Sequence, residues 1–197
     1  MQSSLTLESM AFLNNDWIPS RHTCEGEGVI PSFRWLHVPD GTQSLVLVMR
    51  QREAPPDQQV RWLVYDLPVL PNLIHEGGEL PAGAKVGRND AGDMVYIPPC
   101  HLPDHHLVHY DFVLYATDLP TLGLPEGATW AEVRERLRKH RPGPGVEGHV
   151  HGDVAAPPAD DHMAREWHEL GHVIAYAELV GHFAKDVETH VPGVDRI

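Results

Sequence analysis

The chain has only two cysteines, Cys24 and Cys100, in 197 residues. That excludes the disulfide framework of a small secreted scaffold. A reduced pair is the expected state, with a bond between them left open. Basic residues are scarce: 15 Lys and Arg stand against 28 Asp and Glu, a formal net charge of −13. Nothing at that balance offsets phosphate repulsion, which excludes nucleic acid and an anionic membrane as global partners and leaves room only for a local basic pocket. No apolar run approaches the length of a membrane span, so no membrane insertion is expected. The N-terminus, MQSSLTLESMAF, lacks a basic start and an apolar core. No secretory signal is expected there, and the chain is placed in the cytoplasm.

What is present is a mix of turn formers and histidine. Eighteen Pro and 17 Gly favour many turns and short elements. Fifteen His residues are unusual, and protonating roughly half of them near pH 6.5 would remove about half of the negative charge. The length fits one domain, residues 1–197, able to bury about 70% of its unfolded surface.

The central stretch is Ser44–Pro68, SLVLVMRQREAPPDQQVRWLVYDLP. Two apolar runs, Leu45–Met49 and Trp62–Leu67, flank a polar loop and read as strands. Residues 3–12 alternate as an opening strand would, and 107–117, LVHYDFVLYAT, read as a long strand. Met94–Ile97 is expected to form a short strand. Cys24-Glu25-Gly26 and Pro39-Asp40-Gly41 are turns. Thr129–His140 is the clearest helix, with Trp130, Val133 and Leu137 on one face and Pro142 as its stop. Residues 141–161 are rich in Pro, Gly and acidic residues and read as a long loop. A final helix over 164–173 and a strand over 176–184 are expected.

The segments IPSRHTCEGEGVIPSFRWLHVPDGT, SLVLVM, RWLVYDLP, GRNDAG, HYDFVLYA and GHVIAYAELVG carry a resemblance. They are similar to the phosphatidylethanolamine-binding and Raf kinase inhibitor-like family, in particular its bacterial branch. The resemblance covers nearly the whole chain outside 141–161, which reads as an insertion. It implies a mainly β protein: a two-sheet, Greek-key-like sandwich with a few peripheral helices. Bacterial members imply a homodimer. Cys24 and Cys100 fall on motifs that place them at the rim of the family's site.

That site, in the family, grips phosphate-type groups with two Asp and two His residues. Here the frame survives and those residues do not. Gln51, Arg52 and Glu53 replace the Asp-Pro-Asp, Arg61 the first His, Val108 the second, and His109 the following Arg. The expected ligand-binding set is Gln51, Arg52, Trp62, Pro99, His106, Val108 and His109. The expected ligand is a small, partly apolar organic molecule with a carbonyl, enol or carboxylate. Glu53 pairing with Arg61 suggests the alternative of a cofactor-free isomerase, cyclase or lyase, with Glu53 as base, Tyr110 or His109 as acid and Arg61 stabilising an oxyanion. Strand alternation points His109 away from Tyr110. No cofactor and no metal site are expected.

A remote alternative is a zinc hydrolase. His168-Glu169-Leu170-Gly171-His172 satisfies H-E-x-x-H, which on a helix puts two His residues on one face. Ala175 and Glu178 break the extended pattern, and Glu188 or His190 would have to supply the third ligand. His149 and His151, with Asp153, Asp160, Asp161 and His162, form a second His/Asp group expected to be solvated.

Overall fold

The computed structural model describes residues 4–103, 106–139 and 169–184. These form strands β1 (Thr6–Ser9), β2 (Asp16–Trp17), β3 (Phe33–Leu36), β4 (Ser44–Gln51), β5 (Val60–Leu67), β6 (Leu73–Ile74), β7 (Lys85–Val86), β8 (Val108–Thr117) and β9 (Val173–Phe183), and helix α1 (Trp130–Leu137). They make two sheets, one in the order β1-β3-β6 and one in the order β2-β9-β8-β4-β5-β7. The architecture is the mainly β, two-sheet sandwich that the resemblance implies. The loop at 141–161, with its His/Asp group, lies outside the described residues.

β4 explains the layering. It sits between β5 and β8, so its backbone groups are paired on both sides. Leu45, Leu47 and Met49 point to one face, and there they meet Phe33, Trp35 and Ile74 of the small sheet in a fully buried core. Val46 and Val48 point to the other face, where Val133 and Leu137 of α1 and Leu122 cover them. A strand covered on both faces reads as an unbroken apolar run, as this one does.

α1 begins at a reciprocal cap. The Thr129 hydroxyl accepts from the Glu132 N–H at 3.3 Å, and the Glu132 carboxylate accepts from the Thr129 N–H at 2.7 Å. Trp130 stacks on Tyr115 with ring centroids 5.8 Å apart, and the Arg50 guanidinium sits 4.8 Å over its ring. The helix ends at Leu137, short of the expected His140. Arg138 is extended, and Lys139 bridges to Leu170.

An N-terminal arm closes one side of the large sheet. β2 runs parallel to β9, pairing Asp16 with Gly181 and Trp17 with His182. Asn15 donates to the Val180 carbonyl at 2.8 Å, and Ile18 to the His182 carbonyl at 2.9 Å. Gly181 is required here, because a Cβ would collide with Ile18 and press on Phe12. The expected turns form as well. The Gly26 N–H reaches the Thr23 carbonyl, and the Thr42 N–H reaches Pro39 across Gly41, whose φ of 86° suits the third position of a type II turn.

Three expectations are corrected. Met94–Ile97 is not a strand: a single backbone bond ties it to β5, from the Ile97 N–H to the Arg61 carbonyl at 3.1 Å, while β7 pairs further along that edge, at Val64 and Tyr65. The helix expected over 164–173 does not extend that far, since helical geometry ends at Glu169. Gly171 passes so close to the Lys139 carbonyl that no side chain fits, and Val173 already belongs to β9. Residues 164–168 lie outside the described residues. Third, Cys24 and Cys100 are bonded, with Cα atoms 5.3 Å apart. A cystine belongs to oxidising compartments, so cysteine chemistry lends no support to the cytoplasmic expectation.

Candidate functional site

Gln51 ends β4 directly opposite Tyr110 of β8, and both side chains continue the inward face of the sheet. Each is about 1% exposed. Arg61 joins them through an irregularity. Met49 faces Trp62 while Arg50 faces Val60, so Arg61 is the extra residue of a β-bulge. Its guanidinium donates to the Gln51 side-chain oxygen. It has no carboxylate partner among the described residues. A guanidinium offers five N–H donors, so a single amide oxygen leaves most of them unused.

Tyr110 is held by the backbone of one residue. Its hydroxyl donates to the Cys100 carbonyl at 2.7 Å and accepts from the Cys100 N–H at 2.8 Å. Burial pushes the phenol up to about 12, against the opposing pull of the Cys100 N–H, Arg61 and Gln51. Tyr110 is therefore a neutral hydrogen-bonding group near neutral pH. Cys100 in turn is tied to the loop that carries Cys24. The disulfide links them, and the Cys24 N–H donates to the Pro99 carbonyl at 2.9 Å.

The other expected residues fall elsewhere. Glu53 does not face Arg61. Its two carboxylate oxygens take the His109 N–H, at 2.8 Å, and the His109 ring nitrogen, on the outward face of the sheet. Burial would raise the Glu53 carboxyl, but these two bonds hold it below the usual range. His109 points away from Tyr110, as alternation requires, and packs edge-on against His182 of β9 at 4.8 Å. Arg52 is also outward, in a forked pair with Asp111, and Glu178 lies 3.9 Å away. Val108 is sealed in the core, and His106 is exposed. The structure thus brings Gln51, Arg61 and Tyr110 together. It sends Arg52, Glu53 and His109 to a separate outer cluster with Asp111, Glu178 and His182.

Trp62, the residue after Arg61, opens onto an apolar groove of about 460 Å³ that sequence reasoning missed. Ile30, Leu80, Val86, Met94, Val95 and Tyr96 line it as well, and Tyr96 meets Trp62 edge-on at 5.7 Å. Apart from Trp62 in β5 and Val86 in β7, these residues come from irregular segments with no periodicity, so no pattern in the sequence signals the groove. Met94 and Val95, apolar residues in a stretch rich in Pro and Gly, are left exposed at its rim.

The H-E-x-x-H stretch does not form a helical face through His172. The His172 ring bonds the Asp118 carboxylate at 2.8 Å, and Glu169 lies 3.4 Å from Arg134. His168, Glu188 and His190 lie outside the described residues.

Comparison with known proteins places this geometry. The family model described as phosphatidylethanolamine-binding protein matches residues 8–147. A UPF0098 protein of Methanothermobacter thermautotrophicus is 34% identical over 154 residues, covering 76% of this chain and 94% of that protein. A UPF0098 protein of Chlamydia trachomatis is 31% identical over 188 residues, covering 92% and 100%. Among solved structures, a phosphatidylethanolamine-binding protein homologue of Chlamydia trachomatis superposes with a TM-score of 0.69 at 29% identity, over 93% of this chain and 99% of that one. E. coli YbcL, described as a member of the mammalian family, gives a TM-score of 0.68 at 21% identity over 92% and 99%, a likeness of fold alone.

Proposed function

Because the chain belongs to the phosphatidylethanolamine-binding protein family, we propose that it binds a small organic ligand at Arg61, Gln51 and Tyr110. The ligand bears a carboxylate or an enolised carbonyl and has an apolar body. The observation that carries this is Arg61. It is a half-buried guanidinium held by an amide oxygen, with no carboxylate to neutralise it among the described residues. A cation kept in that state favours an incoming anion. The groove beginning at Trp62 supplies an apolar surface for the rest of the molecule. Phosphate fits less well, since Val108 stands where the family places a His.

The choice of binding over catalysis rests on Glu53. A base acting beside Arg61 would have to face it, and Glu53 is engaged by His109 on the other side of the sheet. No helix among the described residues is long and apolar enough to cross a membrane. Association into homodimers belongs to the same reading and is checked by analytical ultracentrifugation.

The test is native mass spectrometry of purified protein, followed by thermal-shift titration with small carboxylic acids, enolisable ketones and phosphate esters. A retained or panel ligand is expected to raise the Tm and to bind Arg61→Ala at least about tenfold more weakly, a loss of 1.4 kcal/mol or more. Equal affinity in Arg61→Ala, with the fold intact by circular dichroism, would sink the proposal.

A further inference from the structure

We propose that reduction of the Cys24–Cys100 bond creates a binding site for one thiophilic metal ion of the Zn²⁺ class, held by the two cysteine Sγ atoms and Nδ1 of His101. The ligand atoms of these three residues all lie within 4.8 Å of one another. Cys100 Sγ and His101 Nδ1 are 3.8 Å apart. A tetrahedral zinc shell, with Zn–S near 2.3 Å and Zn–N near 2.0 Å, needs neighbouring ligand atoms about 3.5–3.8 Å apart. One edge of the shell is therefore already in place. Of the other two edges, the sulfur–sulfur one must open to about that distance once the bond is cut, and the one from Cys24 Sγ to His101 Nδ1, within 4.8 Å, must match it.

The backbone on both sides is anchored independently of the bond. The Cys24 N–H is held by the Pro99 carbonyl, and the Thr23 N–H and hydroxyl both bond the Ser20 carbonyl. Cys100 is gripped at both its N–H and its C=O by the Tyr110 hydroxyl. Opening the disulfide thus leaves two thiols facing each other across pinned loops. Cys24 and His101 are exposed and Cys100 is half-buried, so reductant and metal both have access. A fourth coordination position stays open to water or a solute. Thiolate and imidazole together select soft or borderline ions over Mg²⁺ or Ca²⁺.

The chemistry balances. A dithiol reductant delivers two electrons and two protons to the disulfide and is itself oxidised to a cyclic disulfide. Two thiols result, and the metal displaces both thiol protons on binding. The metal then bridges the same two loops that the bond bridged, so Tyr110 keeps its anchor in either redox state. Nothing in the sequence spacing shows this site, because the two cysteines are 76 residues apart.

The experiment uses the full chain, reduced anaerobically with a phosphine, desalted and titrated with Co²⁺ as a spectroscopic probe, then with Zn²⁺. The expected result is one equivalent of Co²⁺ giving a near-ultraviolet thiolate-to-cobalt band and visible bands of tetrahedral intensity, both erased by Zn²⁺. The oxidised chain should give neither. Cys24→Ser and Cys100→Ser should each lose the thiolate band, and His101→Ala should weaken Co²⁺ binding at least about tenfold. Four results would overturn the site. They are no thiolate band in the reduced chain, binding without that band, unchanged affinity in His101→Ala, or a reduced chain whose β-sheet circular dichroism is lost and not restored by metal. None depends on what occupies the pocket at Arg61.

Discussion

Gln51 and Glu53 are two residues apart and serve opposite faces of the protein. Gln51 is the last inward residue of β4, whereas Glu53 turns outward to hold the backbone N–H of His109 near the start of β8. Because the Glu53 carboxyl lies below its unfolded value, its contribution is fully present above the unfolded carboxylate range. It is lost as pH falls through the lower, folded value. Glu53→Gln should cost about 1–2 kcal/mol at pH 7, and its stability curve should converge with wild type in acid; denaturant melts at pH 7 and pH 3 read this. Tyr110→Phe strips both bonds from the half-buried Cys100 backbone, leaving its N–H unpaired and its C=O with only the long contact from the Gln51 amide, at 3.5 Å. A loss of about 1–3 kcal/mol is expected in a urea titration. Alternation foretold that His109 and Tyr110 would part, and they do. The partner of Arg61 was not legible: the sequence suggests Glu53, the structure gives Gln51, and the difference turns on a bulge. One extra residue in β5 re-aims Arg61, and no residue type in QVRWLVYDLP announces it.

At the scale of elements, the central strands and α1 could be read because their apolar periods are unbroken. The start of β9 could not. HELGHV suits a helix by composition, and only the closeness of Gly171 to the Lys139 carbonyl, a contact 32 positions distant in the chain, forces a turn there. The cap of α1 makes a sharper prediction: Thr129→Ala should cost about 1 kcal/mol by thermal melt. The β8–β9 pairing makes another. His182 is held below its ordinary value by burial, then by His109 and Arg52, against the opposing pull of Asp16 and Glu53. A histidine so depressed stabilises the fold above its unfolded value, and that contribution is lost as pH falls through the folded one. His182→Asn should therefore flatten the decline in Tm between pH 7 and pH 5. Parallel curves for the two proteins would contradict this.

For the molecule as a whole, the sandwich is held by its two buried layers, and the loops at Cys24 and Cys100 are joined by a cross-link in addition to backbone bonds. Chain entropy for a closed loop spanning a separation of 76 residues is worth about 4.5 kcal/mol at most. The paired Cys24→Ser, Cys100→Ser variant should unfold at lower denaturant by up to that amount, while keeping the strand content that β4, β5, β8 and β9 supply. The family frame was legible because strands and turns obey local rules. The groove was not, since it is assembled from two strand residues, Trp62 and Val86, and three irregular segments, 28–30, 77–80 and 94–96, that meet only after folding.

The arm at Asn14–Ile18 has a consequence for solubility. By spending its amides and carbonyls on Val180–His182 it denies that stretch to any neighbouring molecule. Swapping Gly181 for valine would pry the arm loose and offer a bare hydrogen-bonding rim to the next copy. Such rims recruit strands from other chains, so that variant should assemble into sheet-rich aggregates at concentrations where the parent stays clear.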